Sequence, residues 1–171
     1  TVDMAVRFLE QKANVTLSIC AMPMAGVTAP AMLPGAFVEN TATVLGGFAV
    51  FKLLGADIGI CPMVYPFDMR HGALAYGTPE HVLAWLISNQ LTRFYNNGAG
   101  CWFCPSFTTS ATRPDAHSAT TRTAWATIGA LDGARHFGFA GWLGLDKIFS
   151  PEQLILDIET VRYVRHLVKA M

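Results

Sequence analysis

The sequence predicts an α/β fold of four consecutive βα units, part (about half) of a (βα)8 TIM barrel. Three observations predict it. Short apolar runs alternate four times with helical segments, the pattern of parallel strands joined by right-handed crossovers. The helical segments open on Pro or a capping residue and close on Gly or Asn, the usual asymmetry of helix ends. The chain is 52% hydrophobic and only 14% charged, as strands buried on both faces require. A doubly wound open sheet fits the same alternation. No GxGxxG follows the first run, which argues against a dinucleotide site.

The first apolar run is Val15 to Met22. Its helix starts near Thr28 to Pro30 and runs to Leu54, with Gly55 as a C-terminal cap. The second run, Ile58 to Tyr65, leads to a helix with Thr78 as N-cap and Pro79 at the first position, ending at Asn96-Asn97-Gly98. The third, Gly100 to Phe107, leads to a helix starting around Pro114-Asp115 and ending at Gly133. The fourth, Arg135 to Trp142, leads to a helix with Ser150 as N-cap, Pro151 next, and Gln153 placed for a capping box. Leu154, Ile155, Ile158, Val161 and Leu167 form its expected apolar stripe. Ahead of the first run, Val2 to Gln11 reads as the end of a further helix. Residues 1–171 are expected to form a single partial-barrel domain, a fragment of a longer chain, and a start on Thr rather than Met agrees with that.

Composition excludes some partners. Twelve Lys and Arg balance twelve Asp and Glu, which gives no basic patch for nucleic acid. No window holds the ~18 uninterrupted apolar residues of a spanning helix. Cys20, Cys61, Cys101 and Cys104 lie mostly inside apolar runs, so reduced thiols and a cytoplasmic location are expected. Cys101 and Cys104 form a single CxxC on a strand, where positions three apart face opposite ways. Neither a zinc set nor a redox motif is expected there, and no metal is expected on this chain.

The polar and aromatic residues follow the strands' C-terminal ends, where both architectures place their sites. The second run ends in YPFDMRHG (Tyr65 to Gly72) and the third in WFCPSFTTSATRPD (Trp102 to Asp115). Tyr65, Phe67, Trp102, Phe107 and Trp142 are candidates for an aromatic cage around a quaternary ammonium ion, held by cation–π attraction. Taken singly, each reads as a core or layer-packing residue; it is the group that points to a cage. Arg70 is a candidate for binding a substrate carboxylate in bidentate fashion. Asp68 either offsets a cation or braces its loop by pairing with Arg70. His71 is a candidate acid or base, or a loop histidine bonded to backbone; His117 reads the same way. His81, His136 and His166 read as structural or solvated. No nucleophile elbow, HExxH or P-loop occurs, and no catalytic residue is assigned.

PMAGVTAP (Pro23 to Pro30), DMRHGALAYGTPE (Asp68 to Glu80), RPDAH (Arg113 to His117) and SPEQLILDIE (Ser150 to Glu159) together resemble the trimethylamine methyltransferase family of corrinoid-dependent enzymes. The resemblance runs in order from about Asn14 to the C-terminus. It implies a (βα)8 barrel that moves a methyl group from a methylated amine to the Co(I) corrinoid of a separate carrier protein. Pro105-Ser106-Phe107-Thr108 stand where one branch carries pyrrolysine, so the chain resembles the branch without it, whose members act on quaternary amines such as glycine betaine. Family members are longer. The resemblance therefore implies a partner for the open edge: the remaining half of the barrel, or a self-associated copy. Two alternatives stand beside the enzyme: a half-barrel binding or assembly module without activity of its own, and a TIM-barrel enzyme of another reaction.

Overall fold

Parallel pairing between successive units is present twice in the structure, a computed structural model that describes residues 2–11, 17–100 and 105–169. The chain divides into two units, Thr1–Tyr65 with Ile87–Trp102, and Pro66–Leu86 with Phe103–Met171.

In the first unit, α1 (Val2–Glu10) precedes β1 (Leu17–Ile19). Strand β1 pairs in parallel with β3 (Ile58–Ile60), Leu17 opposite Ile58 and Ile19 opposite Ile60. Helix α2 (Leu33–Leu53) supplies the crossover between them. It starts later than the Thr28–Pro30 expectation. Residues 24–29 instead form β2 (Met24–Ala25) and a tight turn, in which the Val27, Thr28 and Ala29 amides all donate to the Met24 carbonyl. Gly26 there has φ 91°, a conformation that costs glycine nothing. The expected strand Ile58–Tyr65 is interrupted as well. It ends at Ile60 and resumes as β4 (Tyr65–Asp68), and Pro62 between them has no N–H to give a ladder.

Side chains complete what these short strands leave open. The Asn96 amide, at the end of α3 (Pro79–Tyr95), accepts from the Ile60 N–H at 3.3 Å and donates to the Ile60 carbonyl at 2.8 Å. Buried Asn40 on α2 accepts from the Met63 N–H at 2.9 Å and donates to the Ala21 carbonyl at 3.4 Å. The buried Ser88 hydroxyl donates to the Pro62 carbonyl. Each fills a backbone position that a longer strand would have filled. Cys20 is a free thiol, whereas Cys61 is disulfide-bonded. The expectation of reduced thiols is therefore corrected at Cys61. The CxxC lies outside the described residues.

In the second unit, β4 turns back antiparallel onto β5 (Ala73–Leu74), with Phe67 opposite Leu74 and Asp68 opposite Ala73. The third and fourth apolar runs meet in parallel at Ser106 and Gly138. There the Phe107 N–H donates to the Gly138 carbonyl at 2.9 Å, and the Gly138 N–H to the Pro105 carbonyl at 3.1 Å. Helix α4 (Ala116–Leu131) starts on Asp115, whose carboxylate caps the Ser118 N–H at 2.9 Å. The fourth run does not continue as a strand to Trp142. Phe139 turns to φ 61° and Gly141 to φ 80°, and Trp142–Leu143 forms β6, antiparallel to β7 (Ile148–Phe149).

Helix α5 (Pro151–Lys169) starts where Ser150 and Pro151 place it, and the Ser150 hydroxyl accepts the Gln153 N–H at 3.2 Å. Its buried face corrects the expected stripe. Ile155, Ile158 and Leu167 are exposed, while Gln153, Asp157 and Val164 are buried. The Gln153 side chain turns inward rather than back to its cap. Val164 joins Phe107 and Ala126 in a core flanked by Phe137 and Val161.

Two substitutions test this account in the full-length protein by chemical denaturation. Asn96→Ala strands both backbone groups of Ile60 and is expected to cost about 1–3 kcal/mol. Gly141→Ala is expected to cost at least as much, because a Cβ there would lie 2.8 Å from the Phe149 ring at a positive φ.

Candidate functional site

The second unit gathers its chemistry beyond the ends of the third and fourth runs. Two backbone bonds tie these exits together. The Leu145 N–H donates to the Thr109 carbonyl at 2.9 Å, and the Gly144 N–H donates to the Ala111 carbonyl at 2.8 Å. Gly77, just after the β4–β5 hairpin, packs against the same segment. A Cβ on it would lie 2.9 Å from the Thr108 carbonyl oxygen, so only glycine permits this approach.

Hydroxyls line the third exit. Ser106 and Thr108 meet at 2.8 Å, and Thr109 meets Thr121 of α4 at 3.3 Å. The rings of Tyr76, His81 and Trp125 form a run beside them. His81 lies 4.5 Å from Trp125 and 5.0 Å from Tyr76 between ring centroids. Its Nδ1 accepts the Gly77 N–H at 3.4 Å. Burial lowers the His81 pKa to about 4, so the ring is neutral at pH 7, with Nδ1 as acceptor. Burial and the charge of Asp146 push the Tyr76 hydroxyl upward.

Behind the fourth exit runs a buried polar chain. The Ser118 hydroxyl donates to Gln153 Oε1 at 2.8 Å, and Gln153 Nε2 donates to Asp157 Oδ1 at 2.8 Å. Asp157 Oδ2 accepts from Arg122 Nη1 at 2.5 Å and from the Gly141 N–H at 2.7 Å. Arg122 Nη2 donates to the Trp142 carbonyl. Both charged side chains are 1% exposed. Burial pulls the Arg122 pKa below its ordinary value, opposed by the Asp157 charge.

The residues singled out from sequence fall as follows. Phe67, Asp68, Arg70 and His71 share the β4–β5 hairpin. The Asp68 carboxylate braces that turn, accepting the Arg70 N–H at 2.9 Å and the His71 N–H at 3.2 Å, and meeting His71 Nδ1 at 2.6 Å. The hydrogen bond to the His71 ring is the main cause that lowers the Asp68 pKa; desolvation opposes it, and the two backbone bonds and the His71 charge add to the lowering. Arg70 and His71 are exposed. Phe107 is buried, its ring 6.0 Å from Phe137 and 5.8 Å from the Arg122 guanidinium. Trp142 is half-buried, edge-on to Phe139 at 4.9 Å. Tyr65 belongs to the first unit, is buried, and donates from its hydroxyl to Met63 Sδ at 3.4 Å. Trp102 lies outside the described residues.

Reading the sequence missed Trp125, Asp146 and the Ser118–Gln153–Asp157–Arg122 chain. One signal was available: Gln153 and Asp157 are four apart, so they share a helix face. His117 Nε2 meets the Ser110 hydroxyl at 3.3 Å, but among the described residues no carboxylate orients His117, so no triad forms. Among the described residues no group of three or more His, Cys, Asp or Glu is placed to hold a metal. No described helix is long and apolar enough to cross a membrane.

A helix-flanked α/β protein with a hydroxyl- and aromatic-lined mouth beyond its parallel strand ends is the class this geometry defines. The chain belongs to the trimethylamine methyltransferase family, whose model it matches over residues 3–171. It is 28% identical over 158 residues to a trimethylamine methyltransferase of Methanosarcina thermophila, covering 89% of this chain and 31% of that protein. It is 33% identical over 98 residues to the proline betaine:corrinoid methyltransferase of Eubacterium limosum, covering 54% and 19%. It is 35% identical over 89 residues to the glycine betaine methyltransferase of Desulfitobacterium hafniense, covering 49% and 18%. The chain spans about a third of the length of the trimethylamine methyltransferases it matches.

His81 makes a prediction about pH. Its folded pKa of about 4 lies below the unfolded value of about 6.5, so the unfolded state binds the extra proton between them. Stability is full above pH 6.5 and falls toward pH 4, by on the order of 3 kcal/mol from this group. Denaturation midpoints of the full-length protein should show a steeper acid loss for wild type than for His81→Phe. Equal slopes would remove His81 from the account.

Proposed function

We propose that the protein to which this chain belongs is a methyltransferase acting on a methylated amine, with a quaternary ammonium such as a betaine as the favoured substrate class. The observation that carries the proposal is that two half-buried rings stand beside the strand exits: Tyr76, next to Gly77 where it packs on Thr108, and Trp142, edge-on to Phe139 in the loop tied to Thr109 and Ala111 by the Leu145 and Gly144 amides. Similarity to betaine methyltransferases adds to it. A quaternary ammonium offers no N–H, so aromatic faces rather than hydrogen-bond acceptors suit it. The fold proposed for the whole protein is a (βα)8 barrel, and the two parallel pairings in this chain support it.

A corrinoid carried by a partner protein would supply the nucleophile that takes the methyl group. The residues here suit a substrate cation: the half-buried rings of Tyr76 and Trp142 offer aromatic faces, and Arg70 on the hairpin is exposed. The residues here would cage the cation, direct one methyl group outward and exclude water. Loss of the methyl from a quaternary nitrogen leaves a neutral amine, so the leaving group needs no proton from His71 or His81. Arg70, exposed on the hairpin turn, would bind a betaine carboxylate. We place the protein in the cytoplasm, with the corrinoid carrier as its partner.

A second reading, a binding or assembly module, is favoured by the apolar surface of α2 and its cap, where Met32, Val38 and Leu53 are each at least 73% exposed. It predicts a stable complex and no amine affinity.

Titration calorimetry of the full-length protein with glycine betaine, proline betaine, carnitine and trimethylamine separates the readings. Trp142→Ala is expected to weaken quaternary amines about 30-fold, corresponding to the roughly 2 kcal/mol of a desolvated cation–π contact. Arg70→Ala should weaken betaines but not tetramethylammonium. Absence of binding by all four amines would overturn the methyltransferase reading.

A further inference from the structure

We infer that Arg122 and Asp157 are positioning residues, whose buried ion pair holds the 139–146 loop in a strained shape and so sets where the Trp142 ring stands. The inference rests on the reading that Trp142 belongs to the substrate site. Three observations carry it.

The loop is unusual in its backbone. Phe139, Leu145 and Asp146 have φ of 61°, 71° and 130°, and Gly141 and Gly144 have φ of 80° and 57°. Non-glycine residues in this region persist only where their surroundings hold them. The loop is held from outside by the Gly144 and Leu145 amides and by the β6–β7 pairing, and the ion pair adds the side-chain grip at Gly141 and Trp142. Asp157 Oδ2 takes the Gly141 N–H at 2.7 Å, and Arg122 Nη2 takes the carbonyl of the neighbouring Trp142. One residue from α4 and one from α5 thus clamp successive backbone groups. Finally, the pair is itself held in register. The second Asp157 oxygen is bonded to Gln153 and, through it, to Ser118. The guanidinium plane lies 5.8 Å from the Phe107 ring. Arg122 Nε has no hydrogen-bond partner and Arg122 is 1% exposed, so the side chain accepts an unmet donor in order to present its two terminal nitrogens to Asp157 and Trp142. A purely cohesive role would be served as well by apolar side chains of similar volume.

Arginine suits the position because its rigid planar fork holds two separate nitrogens toward Asp157 and the Trp142 carbonyl in a fixed geometry, whereas a lysine ends in one compact ammonium on a single point. Arg122→Lys keeps the charge opposite Asp157 and gives up the Trp142 carbonyl. Asp157→Asn keeps the shape and removes the charge. Val44→Ala, in the buried part of the first unit, serves as a control for general destabilisation.

The experiment measures, in the full-length protein, amine dissociation constants and hydrogen exchange at the amides of residues 141–145. Arg122→Lys is expected to weaken the tightest-binding amine at least tenfold and to speed exchange in that segment. Val44→Ala should leave both within twofold at a matched drop in melting temperature. Asp157→Asn should follow Arg122→Lys if it folds; if it does not, Arg122→Lys decides alone. Equal effects of Arg122→Lys and Val44→Ala, or none from Arg122→Lys, would overturn the positioning role. Should the wild type bind no methylated amine, the methyltransferase reading falls, and exchange at residues 141–145 then decides positioning. Faster exchange in Arg122→Lys alone supports it, and wild-type rates overturn it.

Discussion

A guanidinium and a carboxylate that are both shut away from water must satisfy each other and their remaining donors and acceptors, or the fold loses several kcal/mol per unpaired ion. The second unit is organised around that constraint. Arg122 from α4 and Asp157 from α5 meet at 2.5 Å, and every further contact they make converts the pair into a scaffold. Gln153 and Ser118 occupy the second carboxylate oxygen. The loop after the fourth run supplies an N–H and a carbonyl from adjacent residues. The two helices and the loop therefore cannot shift independently. The apolar core of Phe107, Ala126 and Val164 lies alongside and supplies burial, but burial has no direction. Direction comes from the ion pair.

The first unit solves a related problem with neutral groups. Its paired strands β1 and β3 are three residues long, too short to satisfy the backbone around them. Asn40, Ser88 and Asn96 act as detachable pieces of strand, each offering an amide or hydroxyl where a neighbouring backbone would otherwise stand. In the first unit polar side chains take up backbone groups beside the parallel pairing; in the second they hold the loop that follows it.

Those exits are where chemistry collects. Parallel strands bring their C-terminal ends to one side, so hydroxyls, rings and the hairpin turn arrive together without long loops. The constraints there are tight. Gly77 must be glycine to lie against Thr108, the Asp68 carboxylate is spent on its own turn, and His81 is kept neutral by burial. The hydroxyls of Ser106, Thr108 and Thr109 are buried as well, which leaves the half-buried rings of Tyr76 and Trp142 and the exposed Arg70 as the groups that could meet a ligand.

The sequence by itself determined where most helices begin and end. Thr78-Pro79, Asp115 and Ser150-Pro151 act within one turn of the chain, as does Asn96-Asn97-Gly98, so local sterics and local hydrogen bonds settle them. It also carried the family, because four separated motifs in order are a property of the linear chain. Only the tertiary structure decided which face of α5 is buried. Periodicity ranks Ile155 and Ile158 as core by their hydropathy, whereas the fold buries Gln153 and Asp157 because partners on α4 satisfy them. The same holds for Trp125, whose ring neighbour His81 lies far along the chain, and for the fourth run, which a turn at Phe139 cuts short. Partners distant in sequence leave no local trace, and a buried polar residue is legible only once its partner is in place.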